Sequence, residues 1–315
     1  MENTNIQRIA QIEKIVISHT RLAHAISGIV GCVERTQAFK EPAGCLLLAE
    51  GGMGKTTICN ALVARMPTIN RETHKIHKTI IPAFYASIPP VTRLDLVVSE
   101  LLMHLHDPSP FVGSLGDKTT RFKKLLGDCE TQLILLDEFH EIYNSEKTTK
   151  KTRGEVIGWL KAIVNNFKVC ICLVGKPDFQ KDLIIGKEMA RRFMFKFSLA
   201  PLLPGGEENL GELGGYLVAL GDQVKHRLEI DSIPNFANLF LSQQIYSATG
   251  GSPAFIAALF RESLMHAFKS ERNSLTIEDF SAIWDAGEMD NASLVRENPF
   301  KMSPGFLAAH LRSAI

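Results

Sequence analysis

The chain has 315 residues, enough for about two domains, and 45% of them are apolar, the share found in ordinary globular proteins. Its 35 Lys and Arg against 34 Asp and Glu leave a formal charge of +1, so any surface for nucleic acid has to be local. No run approaches the roughly 18 apolar residues of a membrane span, the polar start Met1-Glu2-Asn3-Thr4-Asn5 has no signal-peptide core, and the six scattered cysteines form no Cys-x-x-Cys pair; a reduced, cytoplasmic protein is expected.

In chain order, residues 1–40 read as an N-terminal helical segment, with Ile9, Ile12, Ile15 and Val16 at helical spacing. From 41 to 203 the pattern is α/β. Short apolar strands are expected at 44–49, 79–86, 132–137, 168–174 and 193–198, alternating with helices at 55–66, 93–106, 118–129 and 155–166. Continuous apolar strands between helices imply a parallel sheet covered on both faces. Cys170 and Cys172 alternate with apolar residues and belong to one face of a strand. The run Pro201-Leu202-Leu203-Pro204-Gly205-Gly206 breaks the pattern. Beyond it, helices at 207–228, 235–248, 253–269 and 276–285 give a small helical domain over 204–287. Residues 288–315 read as a polar tail, in which Asn298-Pro299-Phe300 is a candidate partner-docking segment.

Two motifs carry the chemistry. Directly after the apolar run Cys45-Leu46-Leu47-Leu48 comes Ala49-Glu50-Gly51-Gly52-Met53-Gly54-Lys55-Thr56-Thr57. A strand, a glycine-rich loop, Gly-Lys-Thr and a helix form the arrangement that holds nucleotide phosphates. Glycines let the backbone curl so that N–H groups face phosphate oxygens. Lys55 is placed to reach the β- and γ-phosphates, Thr56 to put its hydroxyl on Mg²⁺, and the helix dipole to favour the same anion. ATP or GTP is the expected ligand, over residues 50–57. Ala49 stands where the eight-residue pattern usually starts with glycine.

The second motif is Leu133-Ile134-Leu135-Leu136-Asp137-Glu138, an apolar strand ending in two carboxylates about 80 residues later. Asp137 is expected to hold the Mg²⁺ shell and Glu138 to polarise the attacking water. His140, in the following turn, reads as a packing or capping residue; a weaker reading has it sense the phosphate state through Glu138.

Together with the helical C-terminal region, these motifs resemble the AAA+ ATPases, and more specifically the TniB/TnsC transposition ATPases. The resemblance covers roughly residues 15 to 287. It includes Leu-Leu-Asp-Glu-Phe-His at 135–140, Leu-Val-Gly at 173–175, Ala-Arg-Arg-Phe at 190–193, Ala-Thr-Gly-Gly-Ser at 248–252 and Leu-Thr-Ile-Glu-Asp-Phe at 275–280. It implies an AAA+ P-loop NTPase core, a five-stranded parallel sheet between helices, and a helical lid. It also implies ATP and Mg²⁺ as cofactors and a slow, regulated ATPase. By resemblance, Arg191 or Arg192 is the arginine finger that enters a neighbouring subunit's nucleotide site. Two positions depart from the pattern. Lys176 replaces a small polar sensor residue, and Gly250-Gly251-Ser252-Pro253 lacks the lid arginine.

The resemblance further implies an oligomer, ring or filament, on sequence-independent double-stranded DNA in a bacterial cytoplasm. A transposase and a target-selection protein are the implied partners. Two basic clusters suit such a surface. Lys147, Lys150, Lys151 and Arg153 are interleaved with threonines, and Lys118, Arg121, Lys123 and Lys124 lie on an expected helix. A third stretch, Arg71 to Lys78 with His74 and His77, reads as an ordinary connector. The competing readings are a nucleotide switch of the STAND signalling class, a helicase loader or secretion ATPase, and a ParA-like partition ATPase. Glu50 reverses the charge of the extra lysine that the last of these carries.

Overall fold

The computed structural model describes residues 2–39, 42–73, 76–89, 93–143, 146, 148–184, 187–206 and 209–314. Its strands are β1 (Cys45–Leu48), β2 (Ile69–Thr73), β3 (Ile76–Ile80), β4 (Ala83–Ser87), β5 (Leu133–Asp137), β6 (Cys170–Gly175) and β7 (Phe195–Ser198). Its helices are α1 (Glu2–Ile9), α2 (Thr20–Ala38), α3 (Lys55–Arg65), α4 (Leu94–His104), α5 (Leu115–Asp128), α6 (Lys150–Asn166), α7 (Phe179–Ile184), α8 (Lys187–Arg192), α9 (Gly211–Arg227), α10 (Leu239–Thr249), α11 (Pro253–Lys269), α12 (Ile277–Asp285) and α13 (Pro304–Ala314). The chain divides into two compact units. One comprises Arg21–Gly51 and Lys55–Leu199; the other comprises Met1–Thr20, Gly52–Gly54 and Ala200–Ile315.

The α/β unit is built on a five-stranded sheet in the order β4-β5-β6-β1-β7, and every pairing in it is parallel. Side chains alternate across a strand, and here both sets are apolar. Leu46, Leu48, Ile134, Leu136, Ile171 and Leu173 enter one core with Phe122, Val156 and Leu160 of the covering helices. Cys45, Leu47, Leu135, Cys172 and Val174, at the alternate positions, are buried too. The strands therefore read as continuous apolar runs rather than alternating ones.

Three local features differ from the sequence expectations. Arg71 to Lys78 is a connector in sequence, but most of it lies in the antiparallel hairpin β2–β3, with Arg71 opposite Lys78. Its polar residues hide the pattern because backbone pairing, not burial of one face, defines it. His74 lies outside the described residues. Helix α5 starts at Leu115, three residues early, because Ser114 and Asp117 form a reciprocal capping box. Helix α6 starts at Lys150 rather than 155, with the Thr149 hydroxyl accepting from Thr152 N at 3.2 Å.

The helical unit gathers α1 and α9–α13 around Leu217, Leu220, Ile256, Leu259, Phe260 and Phe280. Ile9 and Ile12 pack into this core, and the helical segment expected over 1–40 is broken at Ile15–His19. Gly52–Gly54 groups with this unit, where Ala254 N donates to Gly52 O at 3.2 Å. The stretch after 288, expected as a tail, folds as well. Asn298 Nδ2 donates to Asp285 Oδ1 at 2.8 Å and to Ser281 O at 3.0 Å, and the Phe300 ring stacks 5.7 Å from Phe280.

Candidate nucleotide site

Because β1, β5 and β6 are parallel, the loop after β1, Asp137 and Gly175 all fall on the carboxyl edge of the sheet, where α/β folds bind ligands. Ala49 N donates to Gly175 O at 3.0 Å, which ties the start of the loop to the end of β6. Ala49 is fully buried and has no positive φ, so this position does not need glycine's conformational freedom. Gly52 and Gly54 do, with φ of +77° and +96°. A Cβ at Gly54 would meet nothing within 4 Å, which leaves the loop open to a ligand. Lys55 opens α3 and folds back over the loop, its Nζ donating to the carbonyls of Ala49 and Glu50 at 2.8 and 2.9 Å.

Asp137 is only 4% exposed. Its Oδ2 accepts from Tyr85 Oη at 2.6 Å, and its Oδ1 accepts from Glu138 N at 2.8 Å. The Tyr85 hydroxyl thus holds the strand carboxylate beside the glycine loop, and Thr56 is among the groups that act on its phenol. Burial first, and the adjoining Asp137 carboxylate second, push the Tyr85 phenol above its ordinary range. It therefore stays protonated and remains a donor. Sequence reasoning missed Tyr85; the available signal was a tyrosine within an apolar strand, whose hydroxyl requires a partner.

Glu138 sits in left-handed backbone, φ +55°, a conformation that non-glycine residues rarely adopt and that concentrates at functional sites. Glu141 N donates to Glu138 O at 2.9 Å and opens the 3-10 turn Phe139–Tyr143. That turn buries Phe139 completely and brings His140 back, its Nε2 3.4 Å from Glu138 Oε2 and 3.8 Å from Glu141 Oε1. The residues fit a nucleotide and its magnesium ion: an open glycine loop, a loop lysine, a threonine hydroxyl and a buried carboxylate on one edge.

A profile of the bacterial TniB protein matches residues 7–200. The chain belongs to the TniB family. No curated protein matches it in sequence. In fold it is similar to the Aeropyrum pernix ORC2 protein in its ADP form, with a TM-score of 0.60 at 13% identity over 90% of this chain and 73% of that one. It is also similar to the Aeropyrum pernix ORC1 protein in complex with DNA, with a TM-score of 0.58 at 14% identity over 86% and 66% of the two chains. A third similar structure is CDC6P of Pyrobaculum aerophilum, with a TM-score of 0.53 at 13% identity over 85% and 66%. At such identities the likeness establishes the fold, an AAA+ core with a helical lid.

The TniB chain places the remaining expected residues unevenly. Lys176 is exposed immediately after Gly175. Arg191 and Arg192 end α8, and Arg192 O accepts from Gly44 N at 2.9 Å. Of the basic clusters, Lys118 is 5% exposed and does not belong to a solvent-facing patch. Arg121 is committed to Asp107 Oδ2 at 2.7 Å and to the carbonyls of Ser109 and Val112. Arg153 donates to the carbonyls of Ile142 and Tyr143 and stacks over the Tyr143 ring at 4.8 Å. Lys123, Lys124, Lys150 and Lys151 are exposed, and Lys147 lies outside the described residues.

Proposed function

We propose that this TniB chain is an ATPase that regulates DNA transposition. It assembles with ATP on duplex DNA, recruits and activates a transposase, and disassembles on hydrolysis. The observation that carries the reading is the junction of Lys55, Thr56, Tyr85, Asp137 and Glu138 at one strand edge in a member of this family. Bound magnesium–ATP supplies the anhydride to be cleaved and neutralises its charge. Lys55 pairs with the β- and γ-phosphates, and residues 50–57 wrap them. Thr56 and Asp137 hold the ion, with Tyr85 fixing the orientation of the carboxylate. Glu138 takes the proton of the attacking water. Arg191 or Arg192 reaches the neighbouring subunit's nucleotide, and Lys176 approaches phosphate from the end of β6.

For DNA, Lys150 and Lys151 support the proposal best. They occupy the first turn of α6, where the helix dipole disfavours cations, so they do not stabilise their own helix. Placed there they add to its positive end, a combination suited to phosphates. The test mixes the protein with duplex DNA and ATP, ADP or no nucleotide, followed by electron microscopy. Rings or filaments with ATP alone are expected. The same assembly in all three states overturns the proposal, and a monomer that retains tight ADP favours a signalling switch.

A further inference from the structure

His140 takes no part in the proposed mechanism, yet its ring is held from two sides. On one side Nε2 stands 3.4 Å from Glu138 Oε2. On the other the ring packs against the end of β6. A Cβ at Gly175 would come within 3.2 Å of His140 Nδ1 and 3.0 Å of Phe179 Cε1, closer than neighbouring groups tolerate without moving. Gly175 therefore leaves the space that the imidazole occupies. The backbone around the pair is equally constrained. The left-handed Glu138 and the hydrogen bond from Glu141 N fix the turn that returns His140 over the carboxylate. Glu138 itself is 45% exposed, so packing does little to fix its side chain.

We propose that His140 is a positioning residue: its imidazole, seated against Gly175, fixes the orientation of the Glu138 carboxylate that activates water. This rests on the assignment of Glu138 as the residue that takes the proton. An imidazole at this distance limits the rotamers of a half-exposed carboxylate, and misplacing a catalytic group by about 1 Å costs on the order of a hundredfold in rate. Gly175 also accepts from Ala49 N at the start of the glycine loop, so the seat of the imidazole is contiguous with the phosphate loop.

The test measures ATP turnover and fluorescent-nucleotide affinity in His140→Ala, His140→Gln, Gly175→Ala, Glu138→Gln and the double variant Glu138→Gln/His140→Ala. His140→Ala is expected to lower kcat about 10- to 100-fold, with KM for ATP and nucleotide affinity within about twofold of wild type. His140→Gln keeps an N–H donor near the Nε2 position and should recover part of the rate. Gly175→Ala, which crowds the ring without removing it, should lower kcat in the same direction. The double variant should be no slower than Glu138→Gln alone, because a positioning residue has nothing left to position. Unchanged kcat in His140→Ala beside an inactive Glu138→Gln overturns the positioning role. An active Glu138→Gln overturns the assignment of Glu138 instead. A lower kcat accompanied by equally weakened nucleotide binding marks His140 as merely structural.

Discussion

Asp137 shows how a residue legible in sequence depends on one that is not. The aspartate at the end of an apolar strand reads as an ion ligand, but its two oxygens are fixed by Tyr85 Oη and Glu138 N. Tyr85→Phe removes one donor from a nearly buried carboxylate, which costs about 1–3 kcal/mol. Urea unfolding should show the lowered midpoint with an unchanged slope; a variant as stable as wild type would make the bond incidental. Asp279 in α12 is a second buried acid, with a structural role. Burial pushes its carboxyl up, but hydrogen bonds from Arg272, His266 and Thr276 outweigh this and hold it below the ordinary value of 3.8. A carboxyl held low in the fold stabilises it above the unfolded-state value, and that contribution fades as pH falls through the folded one. Asp279→Asn should therefore melt lower than wild type at neutral pH, and lose less stability than wild type between about pH 5 and pH 2. Parallel melting curves across that range contradict the network's role.

At the scale of elements, the basic segment expected as one exposed loop resolves into distinct parts. Arg153 braces the turn after the carboxylate strand, whereas Lys150 and Lys151 project from the start of α6. Lys151 is 87% exposed, with Glu155 4.0 Å away, a surface pair that contributes little to stability. Lys150→Ala/Lys151→Ala should weaken binding to duplex DNA uniformly across sequences. The slope of log affinity against log salt should become shallower by about 1.8, the value of two phosphate contacts, with nucleotide affinity intact. An unchanged slope places the DNA surface elsewhere. The same separation explains what the sequence left hidden. Lys118 and Arg121 share a helix with Lys123 and Lys124 and look alike in composition. The fold separates them: Lys118 is buried and Arg121 is drawn to Asp107, whereas Lys123 and Lys124 face solvent. Hairpin β2–β3 was concealed for a related reason, since Asn70-Arg71-Glu72-Thr73 and His77-Lys78-Thr79 are polar runs with no apolar alternation to mark a strand.

At the scale of the whole molecule, the nucleotide state is expected to govern assembly, and Glu138→Gln tests that directly. The variant should retain nucleotide binding, lose turnover and persist as an assembled species on DNA, seen by sedimentation or electron microscopy. A monomeric Glu138→Gln with bound ATP contradicts the link between hydrolysis and disassembly. By itself the sequence determined the α/β core, the glycine loop and the carboxylate pair, because glycines, a lysine and two acids at fixed positions after apolar strands are local patterns. It determined likewise that the chain beyond the break at 201–206 is helical. Only the tertiary structure decided that Tyr85 donates to Asp137, that His140 lies between Glu138 and Gly175, and that Ala49 is accommodated without strain. It alone decided that the stretch after 288 packs through Asn298 and Phe300 onto α12. The Tyr85–Asp137, His140–Gly175 and Asn298–Ser281 contacts join residues far apart in sequence. A spacing rule carries no signal for such contacts, because parallel strand order and the closeness of helix packing create them.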